Sequence, residues 1–565
     1  METTTQSKTP IISPSKAHKT LLDWFYEWEK TQPDKIYLRQ PIGEHFQDYS
    51  WGQVGQQARR LVTYLHSLNL PAGSNIGLVS KNCAEWLITD IAIMMSGHVS
   101  VPFYATLTGD QLNQVLTHSG CSVLFVGKLD DWQGMKTGVP TGVTCVSFPN
   151  YNPDADHVQW NEIMAHFSPL LENPVRPLDD LFSIFYTSGT TGNPKGVMLT
   201  FGAMAAAIAS TSSIVPLDLP ESRFFSYLPL CHVAERNVVE ATSLSTGGTV
   251  YFAESLESFA KNLAVAQPTH FLAVPRIWTK FQMGVLAKMP QKKLDLFLKI
   301  PILSGIVKKK IRTGLGLNEA KMILTGAAPM PASLIQWFRK LGIKIQEAYG
   351  MTENLGAVCM MPLDQIKDGT VGKLYPNMQV KIHPETGEIL TKSDWTMRGY
   401  YREPVLTAET IDAEGWLHTG DVGELDNEGF LKITGRVKEM YKTVKGEYIA
   451  PSQIEFGFSD NGFIEQICVV GQHLPQPIAL IVLSQVAKSL NREEVAQSLG
   501  ETLKTLNPCL KSYERVKKIV VLKEDWTVEN NKMTPTMKIK RNVIEKQFTP
   551  QMEPWYEQKE TIIWE

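Results

Sequence analysis

The groups best suited to chemistry concentrate in eleven residues, Tyr186-Thr187-Ser188-Gly189-Thr190-Thr191-Gly192-Asn193-Pro194-Lys195-Gly196. Four hydroxyls (Thr187, Ser188, Thr190, Thr191) sit beside three glycines (Gly189, Gly192, Gly196), and Lys195 adds a positive charge. The preceding Leu181-Phe182-Ser183-Ile184-Phe185 is mostly apolar and reads as a buried strand. A glycine-rich turn after a strand leaves backbone N–H groups free to face an anion. Hydroxyls supply further donors and lysine a point charge, so the loop suits a polyphosphate. Its spacing is not that of the Walker A loop, G-x-x-x-x-G-K-[ST]. The plainer reading, a flexible turn kept soluble by Thr and Ser, suits a shorter segment better than eleven residues in this order.

Further polar segments follow along the chain. Gly326-Ala327-Ala328-Pro329 succeeds the apolar run 321–325; residues this small let a flat ring approach the backbone, or form a tight strand-to-helix turn. In Gln346-Glu347-Ala348-Tyr349-Gly350-Met351-Thr352-Glu353, taken alone, Tyr349 reads as a core aromatic and Glu353 as an acid at a helix N-terminus. Asp421 in Trp416-Leu417-His418-Thr419-Gly420-Asp421 suits an Asx-turn. Near the end stand Lys538 and Lys540, in Met533-Thr534-Pro535-Thr536-Met537-Lys538-Ile539-Lys540-Arg541. The commonest fate of any lysine is an exposed surface.

In this order, from about Leu22 to about Phe548, the segments resemble the adenylate-forming (AMP-binding) superfamily of acyl-CoA synthetases, luciferases and peptide-synthetase adenylation domains. The resemblance implies an α/β fold, with a large N-terminal domain of sandwiched sheets at about residues 1–435. A small mobile α+β domain would span about 436–565, with the hinge at Lys438. It implies ATP and Mg²⁺ as cofactors. The loop Thr187–Lys195 would hold phosphates, and Gly326, Ala327 and Ala328 would lie along adenine. Tyr349, followed by Gly350, would stack on that ring, Thr352 would meet the α-phosphate, and Glu353 would hold the metal, as a hard cation prefers carboxylate oxygen. Asp421 would accept from both ribose hydroxyls, with Arg436 a second contact. Lys538 matches the catalytic lysine, although Met537 stands where the family more often has Gly, and Lys540 is the alternative register. A lysine belongs there because carboxylate attack on ATP brings two anions together. Lys442 matches a lysine that some members use in the second half-reaction.

Leu228-Pro229-Leu230-Cys231-His232-Val233-Ala234-Glu235-Arg236 looks like the long-chain acyl-CoA synthetase version of the acyl-site motif, and Val274-Pro275-Arg276-Ile277-Trp278 points the same way. His232 is expected to border the carboxylate end of the acyl site, as a packed, hydrogen-bonded histidine or a proton carrier. Trp278 is expected either to line an acyl tunnel or to be a plain core tryptophan. The implied reaction is ATP-dependent activation of a medium- or long-chain fatty acid and transfer to CoA. Loading of an acyl carrier protein, an aryl or specialised acid, and a nucleotide-binding sensor without turnover are the alternatives. Retention of Glu353, Asp421, Arg436 and Lys538 speaks against the sensor.

Bulk properties fit this picture. A chain of 565 residues exceeds one core, and alternating apolar strands and amphipathic stretches point to largely parallel sheets. A net charge of −3 gives no basic signature for nucleic acid. Seven scattered cysteines lack zinc spacing and suit a reducing cytosol. Residues 1–18 lack the apolar core of a signal peptide. The longest apolar stretch, 86–104, is interrupted by Asp90, Gly97, His98 and Pro102, which predicts a buried helix leading into a strand. Residues 289–315 are basic and apolar by turns, and read either as a solvated helical face or as an amphipathic element meeting anionic lipid, so peripheral membrane contact stays open. Acyl chain length, thiol acceptor and oligomeric state are not legible.

Overall fold

The computed structural model describes residues 19–565 except 152–153, 189–193, 216–218, 220, 445 and 535–537. Among the described residues, two large sheets of nine and eight strands lie in the N-terminal part. Their central strands are short, apolar and parallel. Asn75–Val79 is buried along its whole length between Val99–Phe103 and Val123–Val126. This is the pattern of a strand covered on both faces. Helices Trp51–Ser67 and Ala84–Met95 pack on each other and join residues of both sheets in one core. The first helix begins on a capping box, Ser50 with Gln53. The second is buried all round, as its nearly continuous apolar sequence requires, and leads into Val99–Phe103. No helix among the described residues is long and apolar enough to cross a membrane.

A third, antiparallel sheet is built from Gln379–Ile382, Glu388–Lys392, Leu417–Leu425 and Leu431–Arg436. The smaller C-terminal part has its own four-stranded sheet, Ile464–Val470, Ile478–Leu483, Lys518–Leu522 and Ile562–Trp564, with helices Arg492–Leu506 and Arg541–Glu557. Its core is separate from those of the large part. Arg276 and Ser333 of the large part hold Glu465 and Asp460 of the small one.

Candidate active site

The glycine-rich loop connects Leu181–Ser188 to Pro194–Thr200, two antiparallel strands in register from Leu181 with Thr200 to Ser188 with Pro194. It is therefore the tip of a hairpin. Thr187 and Lys195 face each other one pair before its end at Ser188 and Pro194. Gly189, Thr190, Thr191 and Gly192 lie outside the described residues.

Other groups stand at or just beyond strand ends. Gly326 follows Met322–Thr325, and a Cβ there would come within 2.9 Å of the Ala348 carbonyl, so only glycine permits this strand spacing. Ala327 is left-handed (φ +65°), an uncommon conformation for a residue with a side chain; it and Ala328 are exposed. Tyr349 ends the neighbouring strand Gln346–Tyr349. The turn beyond it is so tight that a Cβ on Gly350 would overlap the backbone of Gly356. That turn carries Thr352 and Glu353, each 8% exposed, back into the molecule. Ligand sites at the carboxyl ends of parallel strands follow from this architecture.

Asp421 ties the first and third sheets together. Its Oδ2 accepts from the Tyr349 hydroxyl at 2.8 Å, and its Oδ1 from Arg436 Nε at 3.0 Å. Arg436 lies opposite Asp421 in the ladder, which sets the pair. Burial opposes the guanidinium charge, but Asp421 and Glu439 outweigh it and keep Arg436 firmly protonated. Glu353 ties in the second sheet: its Oε1 accepts from Tyr400 Oη at 2.7 Å, and Tyr400 belongs to the edge strand Gly399–Tyr400 beside Pro194–Thr200. Lys195 sits 5.3 Å from the centre of the Tyr400 ring. Burial raises the Glu353 pKa, against the pull of the Tyr400 hydrogen bond and of the charges on Lys195 and Lys538.

Lys538 arrives from the C-terminal part, on the loop that Thr534 closes by bonding the Lys538 carbonyl and amide. Its side chain is exposed, with the charges of Arg436, Asp421, Glu353 and Glu439 acting on it. Burial and the Arg436 charge lower its pKa, opposed by Asp421, Glu353 and Glu439. Lys540, by contrast, is bound to Asn531 Oδ1 at 2.6 Å. His232 also feels Lys538: burial, and then that charge, bring its pKa down to about 4. Its Nδ1 accepts from the Ala234 amide at 3.2 Å, so the neutral ring carries its proton on Nε2 and can donate there. Cys231, beside it, is 5% exposed, and burial pushes its thiol well above the ordinary range.

Two expectations separate from this cluster. Trp278 is 0% exposed, its indole N–H donates to Ala273 O at 3.1 Å, and Phe271, Phe281 and Phe338 meet it edge-on. It is a core tryptophan: a tunnel lining needs an open face, and this side chain has none. Lys442 is exposed on the short pair Tyr441–Lys442 and Tyr448–Ile449, with its ammonium 4.8 Å from the Tyr448 ring. Lys438 is exposed in the turn Val437–Glu439, immediately after Arg436.

Sequence reasoning missed the support behind His232. Arg236, fully buried, binds Asp90 through both terminal nitrogens at 3.1 and 2.8 Å, pairs with Glu240, and lies against Trp86, Phe182 and Phe185. Asp90 also accepts from Ser100 Oγ at 2.5 Å. This cluster fixes a π-helical turn, Arg236–Ala241, just after the His232 segment. The one available signal was an aspartate in the middle of a mostly apolar helix. Tyr400 gave none.

Four segments distant in sequence thus bring a lysine, a carboxylate, an Asp–Arg pair and a neutral histidine within reach of one another's charges. An AMP-binding enzyme family model matches residues 25–401, and an AMP-binding enzyme C-terminal domain matches 439–560. The chain belongs to the AMP-binding enzyme family. Among its relatives, this AMP-binding enzyme is 29% identical to the long-chain-fatty-acid–CoA ligase FadD15 of Mycobacterium bovis, covering 95% of this chain and 97% of the relative. It is 30% identical to fatty acyl-CoA synthetase A of Dictyostelium discoideum, covering 89% and 85%. Its fold matches the anthranilate CoA ligase AuaEII (TM-score 0.76, 19% identity, 94% and 98% covered). It also matches the A domain of carboxylic acid reductase from Segniliparus rugosus, solved with AMP (TM-score 0.78, 21% identity, 96% and 95% covered).

Proposed function

We propose that this AMP-binding enzyme is an AMP-forming ligase that activates a medium- or long-chain fatty acid with ATP and transfers the acyl group to the thiol of CoA. The observation that carries the reading is that the charge of Lys538, from the C-terminal part, meets those of Glu353 and Asp421 and is felt by His232. In the first half-reaction the fatty carboxylate attacks the α-phosphorus of ATP and pyrophosphate leaves. Lys538 stabilises negative charge between the two reacting anions, where preorganised electrostatics act most strongly. Thr352 donates to the α-phosphate, and Thr187, Ser188 and Lys195, with the tip between them, hold the other phosphates. Tyr349 and the small residues 326–328 flank adenine. Asp421 exchanges its Tyr349 and Arg436 partners in part for ribose hydroxyls. His232 donates from Nε2 to an oxygen of the acid, orienting it.

The acidic oxygen donor set fits Mg²⁺: Glu353 is a buried carboxylate with Thr352 beside it, and magnesium needs only one or two protein carboxylates when phosphates complete its shell. When bound, the ion would neutralise phosphate charge. In the second half-reaction the small domain, taken as residues 436–565, turns at Lys438 to admit the thiol, with Lys442 then brought toward the cleft. No covalent enzyme intermediate is required. The near full-length likeness to long-chain ligases supports the fatty substrate and CoA. A matrix of acids (aliphatic of graded length, aryl) against acceptors (CoA, acyl carrier protein), read by pyrophosphate release and thioester formation, tests the reading. Release that depends on aliphatic acids, with thioester formed on CoA, is expected. Preference for an aryl acid or a carrier protein moves the assignment to those alternatives, and ATP binding with no release in any cell of the matrix sinks it.

A further inference from the structure

Helices Gln291–Lys299 and Pro301–Gly314 pack together as a hairpin, joined at Ile300. The hairpin is anchored from within: Leu294 is buried in the core that holds Trp278, and Trp337 Nε1 donates to Gln291 Oε1 at 2.9 Å. Its outer side is unusual. The second helix has no buried residue, and Ile302 (80% exposed), Ile306 (59%), Leu296 (57%) and Ile300 (42%) stand in solvent around the bend. At about 100° per residue, Ile302 and Ile306 share one face with Lys309 and Lys310. That face is apolar in its first turns and basic beyond. The preceding helix places Leu296 on one face with Lys292 and Lys299 in the same way.

Single exposed aliphatics need no explanation, but a contiguous group rimmed by charge marks an interaction surface. The charge is one-sided. Residues 289–315 contain seven bases (Lys292, Lys293, Lys299, Lys308, Lys309, Lys310, Arg312) and one acid, Asp295, in a chain of net charge −3. Asp295 accepts from Gln291 at 2.8 Å. We infer that this hairpin is a docking surface for an anionic lipid bilayer, with Ile302, Ile306, Leu296 and Ile300 entering the headgroup–acyl boundary and the lysines meeting lipid phosphates. A second copy is a poor occupant, because a two-fold contact would set like charges against each other. A lipid surface satisfies both halves of the pattern at once. The inference stands apart from the proposed reaction, although an acid that partitions into membranes is what such a surface would bring within reach.

Flotation with phosphatidylcholine vesicles, with and without phosphatidylglycerol, tests it on the full chain. The wild type is expected to float with the anionic vesicles, less so as salt rises, and to stay down with phosphatidylcholine alone. Ile302→Glu/Ile306→Glu should abolish flotation. Lys309→Gln/Lys310→Gln should weaken it by about fivefold per lysine, or roughly 25-fold in all. Both variants should keep the wild-type melting temperature and turnover of a water-soluble short-chain acid. Failure of the wild type to bind anionic vesicles, or undiminished binding by the lysine variant, overturns the inference. So does a wild-type dimer in light scattering that Ile302→Glu/Ile306→Glu converts to a monomer, since the face would then belong to a second copy.

Discussion

Lys538 and Lys540 differ in what surrounds them, and that difference yields a test. Lys538 stands among Glu353, Asp421 and Arg436, whereas Lys540 is held by Asn531. Lys538→Ala should lower adenylation by about 10²–10³, the usual cost of one electrostatic stabiliser. It should spare thioester formation from added acyl-adenylate. Assaying the two half-reactions separately decides it, and a collapse in Lys540→Ala with normal adenylation in Lys538→Ala reverses the register. Asp421→Ala should raise the KM for ATP roughly ten- to a hundredfold, since a charged hydrogen-bond acceptor is worth about 1.5–3 kcal/mol. The ranking of fatty acids should not move; a changed ranking with normal ATP use would place Asp421 elsewhere. These residues were legible because each lies within a local ordered segment. The Arg236–Asp90–Glu240 cluster was not, because its charges come together only when the helix 84–95 packs behind the His232 segment.

Short elements set the chemistry at the next scale. Glu235 ends the three-residue helix Val233–Glu235 and is 1% exposed. It accepts from the Tyr227 amide at 2.9 Å and from Asn82 Nδ2 at 3.3 Å. Burial pushes its pKa from 4.5 up to about 8, against hydrogen bonds from Ser226 and from the Tyr227 and Leu228 backbone. Between the two values the folded chain keeps a proton that the unfolded chain has released. Its stability contribution is therefore fully present below the unfolded value, declines as pH rises, and levels off above the folded one. Glu235→Gln should flatten part of the fall in melting temperature between about pH 5 and about pH 8. Parallel wild-type and variant curves would show that Glu235 is ionised in the fold. At this scale the sequence was readable where a strand is apolar throughout, as in Met322–Thr325 or Val123–Val126. It was less so at the glycine-rich loop: a glycine-rich run does not announce whether a strand or a helix follows, so the return strand 194–200 shows only in its pairing with 181–188. The π-helical turn 236–241 has no periodicity of its own to read, since buried ion pairing sets it.

Across the whole molecule, the C-terminal part brings the charge of Lys538 to residues carried by the large part. On the proposed reaction an acceptor thiol needs the same space. Rotation about few backbone bonds would resolve the conflict, with the exposed Lys438, in the turn Val437–Glu439, as its proposed pivot. Proline fixes φ near about −65° and removes an N–H. Lys438→Pro should form acyl-adenylate at near the wild-type rate and lose most acyl-CoA production, with Lys438→Ala as the side-chain control. Wild-type acyl-CoA output from the proline variant would move the hinge elsewhere. The two-part architecture was legible from the ordered motifs; the role of Trp278 was not, since a tryptophan beside a tunnel and one sealed in a core share the same local sequence.

The burial of Cys231 bears on how such an enzyme survives its own product. A mixed acyl–phosphate anhydride is an indiscriminate acylating agent, and here it would form next to His232, one residue from a thiol. Because Cys231 is enclosed and its pKa is pushed up, its thiolate is scarce and this thiol is a poor competitor for the incoming acceptor. Intact-mass measurement after incubation with fatty acid and ATP, without CoA, should therefore find the chain unmodified. An acyl adduct mapped to Cys231 would show that enclosure alone does not prevent self-labelling.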